Sequence, residues 1–121
     1  MITLYVLING SLKMSKGKVS AQVAHAVSLI DNSDWLTQTT RKVVVLEAKN
    51  AEQMNNFSYY LHDKGYDTFL YIDEGANEVP PYSLTAMAVE PNEDDEEFVN
   101  LFKDFKLYGS SKLQNFFKRV V

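Results

Sequence analysis

Residues 12–26 read LKMSKGKVSAQVAHA, and the fold of this segment organises the rest of the chain. Val19, Val23, Ala26, Val27 and Ile30 recur at i, i+4, i+7, i+8 and i+11, the apolar stripe of an amphipathic helix. Lys18, Gln22 and His25, at i, i+4 and i+7, share a neighbouring face. Gly17 stands at the start of that helix, where peptide N–H groups lack partners and the dipole is positive. With Lys13, Lys16 and Lys18 around it, such a start favours an anion, phosphate above all. On spacing alone, a surface helix with solvated lysines fits as well.

Ahead of the helix, residues 2–8 (ITLYVLI) are nearly all apolar, which predicts a strand covered on both faces. The run has no basic residue before it and is too short for a signal or membrane helix. Asn9-Gly10-Ser11 marks a turn. The helix is expected to end near residues 31–33, and Trp35 with TQTT to form a connection. KVVVLEA at 42–48 is a second strand. Asn50, with Gln53 three residues on, then opens a helix whose Met54, Phe57 and Leu61 face inward and which stops at Lys64-Gly65. Residues 68–72 are a third strand, and 73–83 (DEGANEVPPYS) are a loop in which Gly75 permits positive φ. Residues 84–89 form the fourth strand, ended by Pro91. Residues 93–105 read as a helix with acids in its first turn and Phe98, Leu101, Phe102 and Phe105 inward.

The order β-α-β-α-β-β-α predicts a single compact α/β domain with a four-stranded mixed sheet and helices on both faces. Ligands of open α/β sheets bind beyond the carboxyl ends of strands. That rule puts the loops after the first and third strands on one rim, with Lys18 and Asp73 within reach of each other.

One domain is all that 121 residues support, and the 45% hydrophobic and 23% charged content is that of a soluble globular protein. No cysteine is present, which excludes disulfides and thiolate metal sites and fits a reducing compartment. His25 and His62 lie in different predicted helices, too few for a histidine-based metal centre. The acids at 93–97 lack the glycine and spacing of a calcium loop and read as a helix start. The net charge of −4 is unevenly spread: residues 1–49 carry +3, residues 50–108 carry −10 and residues 109–121 carry +3. A polyanion would be steered to the N-terminal part. The basic, aromatic tail 109–121 would align Leu113, Phe116, Phe117 and Val120 on a short helix.

Three segments taken together resemble the type II (archaeal and eukaryotic) peptidyl-tRNA hydrolase family. Its first motif, D-L-x-M-x-x-G-K-x-A-A-Q-x-x-H-A, is met at Leu12, Met14, Gly17, Lys18, Ala21, Gln22, His25 and Ala26. Its D-A-G-x-T after the third strand is met at Asp73 and Gly75, and its Pro- and Ser-led segment into the fourth strand at Pro80, Ser83, Thr85, Ala88 and Pro91. The resemblance covers residues 2–108 and leaves 109–121 as an extension. It implies hydrolysis of the ester joining a peptide to the 3′ ribose of tRNA, with no metal or organic cofactor, by a cytoplasmic homodimer that does not engage a membrane. It further implies catalytic roles for Lys18, Gln22, Asp73 and Thr85. Beside them Lys13, Lys16, Gly17 and Asn77 are read from their own chemistry and position as substrate-binding, the lysines through tRNA phosphates.

Asp73 would position and activate water, and Lys18 would stabilise the oxyanion or the departing ribose oxygen. At its ordinary pKa an aspartate is a feeble base at pH 7, so either its surroundings raise that value or its role is orientation. With no cysteine and no Ser-His-Asp pattern, direct water attack is favoured over a covalent intermediate. His25 is expected to be packed and hydrogen-bonded rather than catalytic. The chain departs from the family pattern at Ser11 (Asp in the pattern), Glu74 (a small residue), Asn77 (Thr) and Pro81 (Gly). Asn77 supplies no hydroxyl, which keeps two further readings open: a weakened or inactive relative serving as an RNA- or protein-binding module, and a hydrolase of another activated ester.

Overall fold

Strand β1 (Ile2–Asn9) is the spine of the fold. In the computed structural model, which describes residues 1–75 and 77–110, seven of its eight residues are buried. Its pleat divides them: Leu4, Val6 and Ile8 face one layer, Tyr5 and Leu7 the other. Helices α1 (Lys16–Ser28) and α2 (Ser33–Leu36) cover the first layer through Val19, Ala26 and Trp35. Helix α3 (Ala51–Asp63) and α4 (Glu96–Asn100) cover the second through Met54, Leu61, Phe98 and Val99. The mixed sheet and the helices on both faces are as expected.

Among the described residues the sheet has five strands, however, not four. With β2 (Lys42–Ala48), β3 (Thr68–Asp73), β4 (Ser83–Glu93) and β5 (Lys106–Leu107), the order is β3-β4-β1-β2-β5. β1 pairs with β2 in parallel, whereas β4 is antiparallel to both β1 and β3. The added β5 pairs antiparallel with Leu46 and Glu47 of β2, and the Lys106–Glu47 ion pair (3.3 Å) holds it there. Two residues are too short a run for strand periodicity to register.

Other boundaries also moved. α1 stops at Ser28, and where a plain connection was expected Asn32 caps α2 by accepting from the Trp35 N–H. β4 passes through Pro91 to Glu93, because the β1–β4 register shifts between Thr3 and Tyr5 and the residue lacking an N–H falls at the irregularity. The expected helix over 93–105 is only α4, capped by Asp95. Tighter i→i+3 bonds follow (Leu101 to Phe98, Phe102 to Val99, Phe105 to Phe102), and these still bury Phe98, Phe102 and Phe105. Of the acids at 93–97 read as a helix start, Asp95, Glu96 and Glu97 form one, whereas Glu93 closes β4 and Asp94 pairs with Lys42. Asn50 and Gln53 form a reciprocal cap on α3: Asn50 Oδ1 accepts from the Gln53 N–H, and Gln53 Oε1 from the Lys49 N–H. The helix expected around Leu113, Phe116, Phe117 and Val120 lies outside the described residues.

Candidate functional site

The C-terminal end of β3 lies against the first two turns of α1, and polar side chains from three elements, α1, β3 and β4, meet there. Ser15 caps α1 by accepting from the Lys18 N–H at 3.2 Å. One turn in, the Lys18 ammonium donates to Asp73 Oδ1 at 3.1 Å, with each side chain only 10% exposed. Gln22, buried, donates through Nε2 to the same oxygen at 3.4 Å. The Gly75 N–H donates to Asp73 Oδ2 at 2.7 Å. Thr85, also buried, donates its hydroxyl to Gln22 Oε1 at 2.5 Å. An ionised carboxylate only accepts, so the Gln22 amide has one orientation that satisfies both neighbours.

Thr85 reaches this side through a fault in the sheet. Tyr71 pairs with Ala86 while Ile72 pairs with Leu84, so β4 has one residue more than β3 at that point. Regular alternation from Met87 and Val89 would send Thr85 into the α3-side core. The extra residue resets the pleat, and Leu84 packs into the α3-side core while Thr85 bonds to Gln22 on α1. Gly75, at φ +80, carries the chain from Asp73 under Pro80 and Pro81; a Cβ there would lie 2.5 Å from Pro81.

Asp73 is held below the ordinary aspartate range, first by the Gly75 N–H, against the opposing effect of burial, and then by the bond and charge of Lys18 and by Gln22. Of the two possibilities open in the sequence, this environment supports orientation: the carboxylate is a fixed anion at neutral pH. Such an ion has about four acceptor positions. Three are occupied by Lys18, Gln22 and Gly75, which leaves one for water.

Lys13, Lys16 and Gly17 are exposed at the α1 start, and Asn77 is exposed on the 73–83 loop with no side-chain bond among the described residues. The structure thus joins Lys18, Gln22, Asp73 and Thr85 and shows no hydrogen bond from the other four candidates to them among the described residues. Two residues were missed. Asn9 is buried at the end of β1, donating to the Leu84 carbonyl and accepting from Ser11, so it ties β1 to β4 beside Thr85. Glu78, at φ +63, accepts from the Ser15 N–H (2.7 Å) and hydroxyl (2.9 Å). These bonds hold its carboxyl below the usual range. Part of the helix start that suggested phosphate is therefore engaged by the chain's own carboxylate. Asn9 offered a turn signal only, and Glu78 nothing beyond being an acid in a loop. His25 also differs from expectation: it is exposed, and its ring stacks on Tyr71.

A separate cleft of about 530 Å³ opens between α3 and α4, lined by Gln53, Phe57, Tyr60, Glu97 and Asp104 among others. It has no contact with the Lys18–Asp73 cluster. We place the candidate chemistry at that cluster because the donors converge there on a fixed anion.

The family model described as Peptidyl-tRNA hydrolase PTH2 matches residues 2–108. Among curated relatives, a peptidyl-tRNA hydrolase of Methanopyrus kandleri is 31% identical over 75% of this chain and 85% of its own. One of Methanococcus maripaludis is 31% identical over 84% and 95%, and one of Pyrobaculum aerophilum is 32% identical over 93% and 97%. With its matched residues Lys18, Gln22, Asp73 and Thr85 meeting at one rim, the chain belongs to the peptidyl-tRNA hydrolase PTH2 family.

Proposed function

We propose that the chain hydrolyses the ester linking a peptide, or an N-blocked amino acid, to tRNA, with Lys18, Gln22, Asp73 and Thr85 as its centre. The observation carrying this reading is the pairing of Lys18 with Asp73, 55 residues apart in sequence and almost excluded from solvent at the sheet rim. In this mechanism Asp73 accepts from a water and aims its oxygen at the ester carbonyl. The water adds to the carbonyl carbon, and Lys18 N–H donors not used by Asp73 stabilise the resulting oxyanion. Collapse breaks the bond to the ribose oxygen, which takes up the proton shed by the water. Gln22 fixes Asp73, and Thr85 fixes Gln22. The Thr85 hydroxyl donates to an amide oxygen rather than to a base, an arrangement that favours water over a covalent nucleophile and needs no metal or organic cofactor.

Lys13, Lys16 and the Gly17 segment, exposed at the α1 start, and Asn77, exposed on the loop after Asp73, would contact the nucleic acid. Such binding weakens as salt rises. The reading also includes a catalytic unit of residues 1–108 with 109–121 as an extension, a homodimer, and a cytoplasmic setting without a membrane partner. The lack of cysteine fits that setting. Among the described residues no helix is long and apolar enough to cross a membrane. What supports a dimer is β3, an edge strand whose Leu70 and Ile72 are 40% and 46% exposed; light scattering would test it.

The deciding assay is release of an N-blocked aminoacyl group from tRNA by the purified 121-residue chain. Turnover is expected. Bound tRNA without turnover would favour instead an RNA-binding module, the reading that the exposed Asn77 carboxamide supports.

A further inference from the structure

Lys18 and Gln22 are two members of a row whose third, His25, takes no part in the Asp73 network. α1 and β3 lie side by side in opposite senses. As the helix advances through 18, 22 and 25, its partners on the strand retreat from Asp73 to Tyr71. The His25 and Tyr71 rings are stacked, centroids 4.6 Å apart and planes 13° from parallel. Tyr71 is half-buried against the α1-side core, whereas His25 is exposed. Among the described residues, neither imidazole nitrogen has a hydrogen-bond partner. The docking of α1 depends on buried Val19, Gln22 and Ala26 instead. An exposed aromatic ring braced flat by another contributes little to a core, but it is the arrangement on which an unstacked base rests.

The position is the relevant one for such a base. His25 lies three residues beyond Gln22, about 4.5 Å along the helix axis. A ribose whose 3′ oxygen carries the scissile ester also carries its base on the same sugar, so that base is no further from the ester than the sugar ring allows. We propose that the His25–Tyr71 stack is the platform for the terminal nucleobase of the tRNA, holding it while the ester lies at Lys18 and Asp73. The proposal rests on the hydrolase reading above. Stacking reads a ring's face rather than its edge, so the platform tolerates different bases but requires a base.

The test compares N-blocked aminoacyl-tRNA having an intact terminal nucleotide with the same molecule made abasic at that nucleotide, using the full chain. Removing the base is expected to raise KM about tenfold, within the range for loss of one base–aromatic stack, and to change kcat far less. His25→Ala is expected to raise KM by a similar factor on the intact substrate and not at all on the abasic one, and His25→Trp to restore it. Equal effects of His25→Ala on both substrates, or no effect of the base on the unaltered protein, would overturn the platform. Binding of uncharged tRNA with and without its terminal base gives the same contrast without chemistry. Absence of turnover would therefore count against the hydrolase reading, and absence of a base effect on binding against the platform.

Discussion

On the α3 side of the sheet, Tyr5, Phe57, Phe98, Phe102 and Phe105 interlock as rings, with Tyr5 and Phe102 stacked at 3.9 Å. On the α1 side the same strands present Leu4, Val6, Ile8, Ala86 and Ala88 to Val19, Ala26 and Trp35, and this aliphatic layer ends in the polar seam Thr85–Gln22–Asp73–Lys18. The difference divides the work. Large rings provide buried area on one side. Small alanines on β4 let α1 approach closely enough for Gln22 to bond across to Thr85. Stability should therefore be concentrated on the α3 side and chemistry on the α1 side.

The strongest challenge to that division is Phe102→Ala. Phe102 is fully buried and touches Tyr5, Phe57 and Phe98. Its truncation is expected to cost about 3–5 kcal/mol by chemical denaturation, with turnover per folded molecule retained at low temperature. If the variant folds but loses turnover, the two faces are coupled and the division fails. Next in size are Lys18→Ala and Asp73→Asn, each expected to lower kcat/KM by at least about tenfold to a hundredfold while the chain stays folded. Unchanged rates in both would remove the centre from this seam.

Acid supplies a subtler probe. The folded protein holds Asp73 below its ordinary value, so its stabilising contribution is complete above the unfolded pKa and disappears as pH falls through the folded one. Unfolding followed by circular dichroism is expected to show this loss only below about pH 4. The pH–rate profile is expected to show no Asp73 limb between about pH 5 and 8, because the anion is already formed. An acid limb near 6 that vanishes in Asp73→Asn would make the residue a base after all.

The Lys18–Gln22–His25 row and the rim that brings Asp73 to it were legible because helical spacing and crossover order are strong signals in sequence. What was hidden depended on single residues displaced by their partners. Thr85 changes face through one added residue in β4, which no alternation pattern contains. Pro91 ought to end a strand, and it sits inside one because β4 carries one residue more than β1 beside it. The Phe98, Leu101, Phe102 and Phe105 spacing foretold the burial but not the shortness of α4, since i→i+3 turns bury nearly the same residues. The exposure of His25 was equally out of reach, for a helix pattern does not tell which neighbouring strand leaves a ring uncovered.

The smallest expected effect belongs to Glu78, and its two consequences have opposite signs. Its carboxylate takes both donors of Ser15, the residue whose hydroxyl caps the Lys18 N–H. Glu78→Gln keeps one acceptor and turns an amide donor toward the other contact, loosening the first turn of α1. Melting is therefore expected slightly earlier than in the parent, with the difference fading in acid as the parent's own Glu78 protonates, since its folded pKa too is lowered. The same change removes a negative charge from the loop that shares the rim with Lys13 and Lys16, so tRNA should bind more tightly at low salt and the gain should vanish as salt rises. Tighter binding with earlier melting would mark Glu78 as a brace that costs the rim some of its attraction for a polyanion. Weaker binding would mean that the loop geometry set by Glu78 matters more to the nucleic acid than its charge, and that the functional face depends on its bracing as closely as the aromatic face depends on its packing.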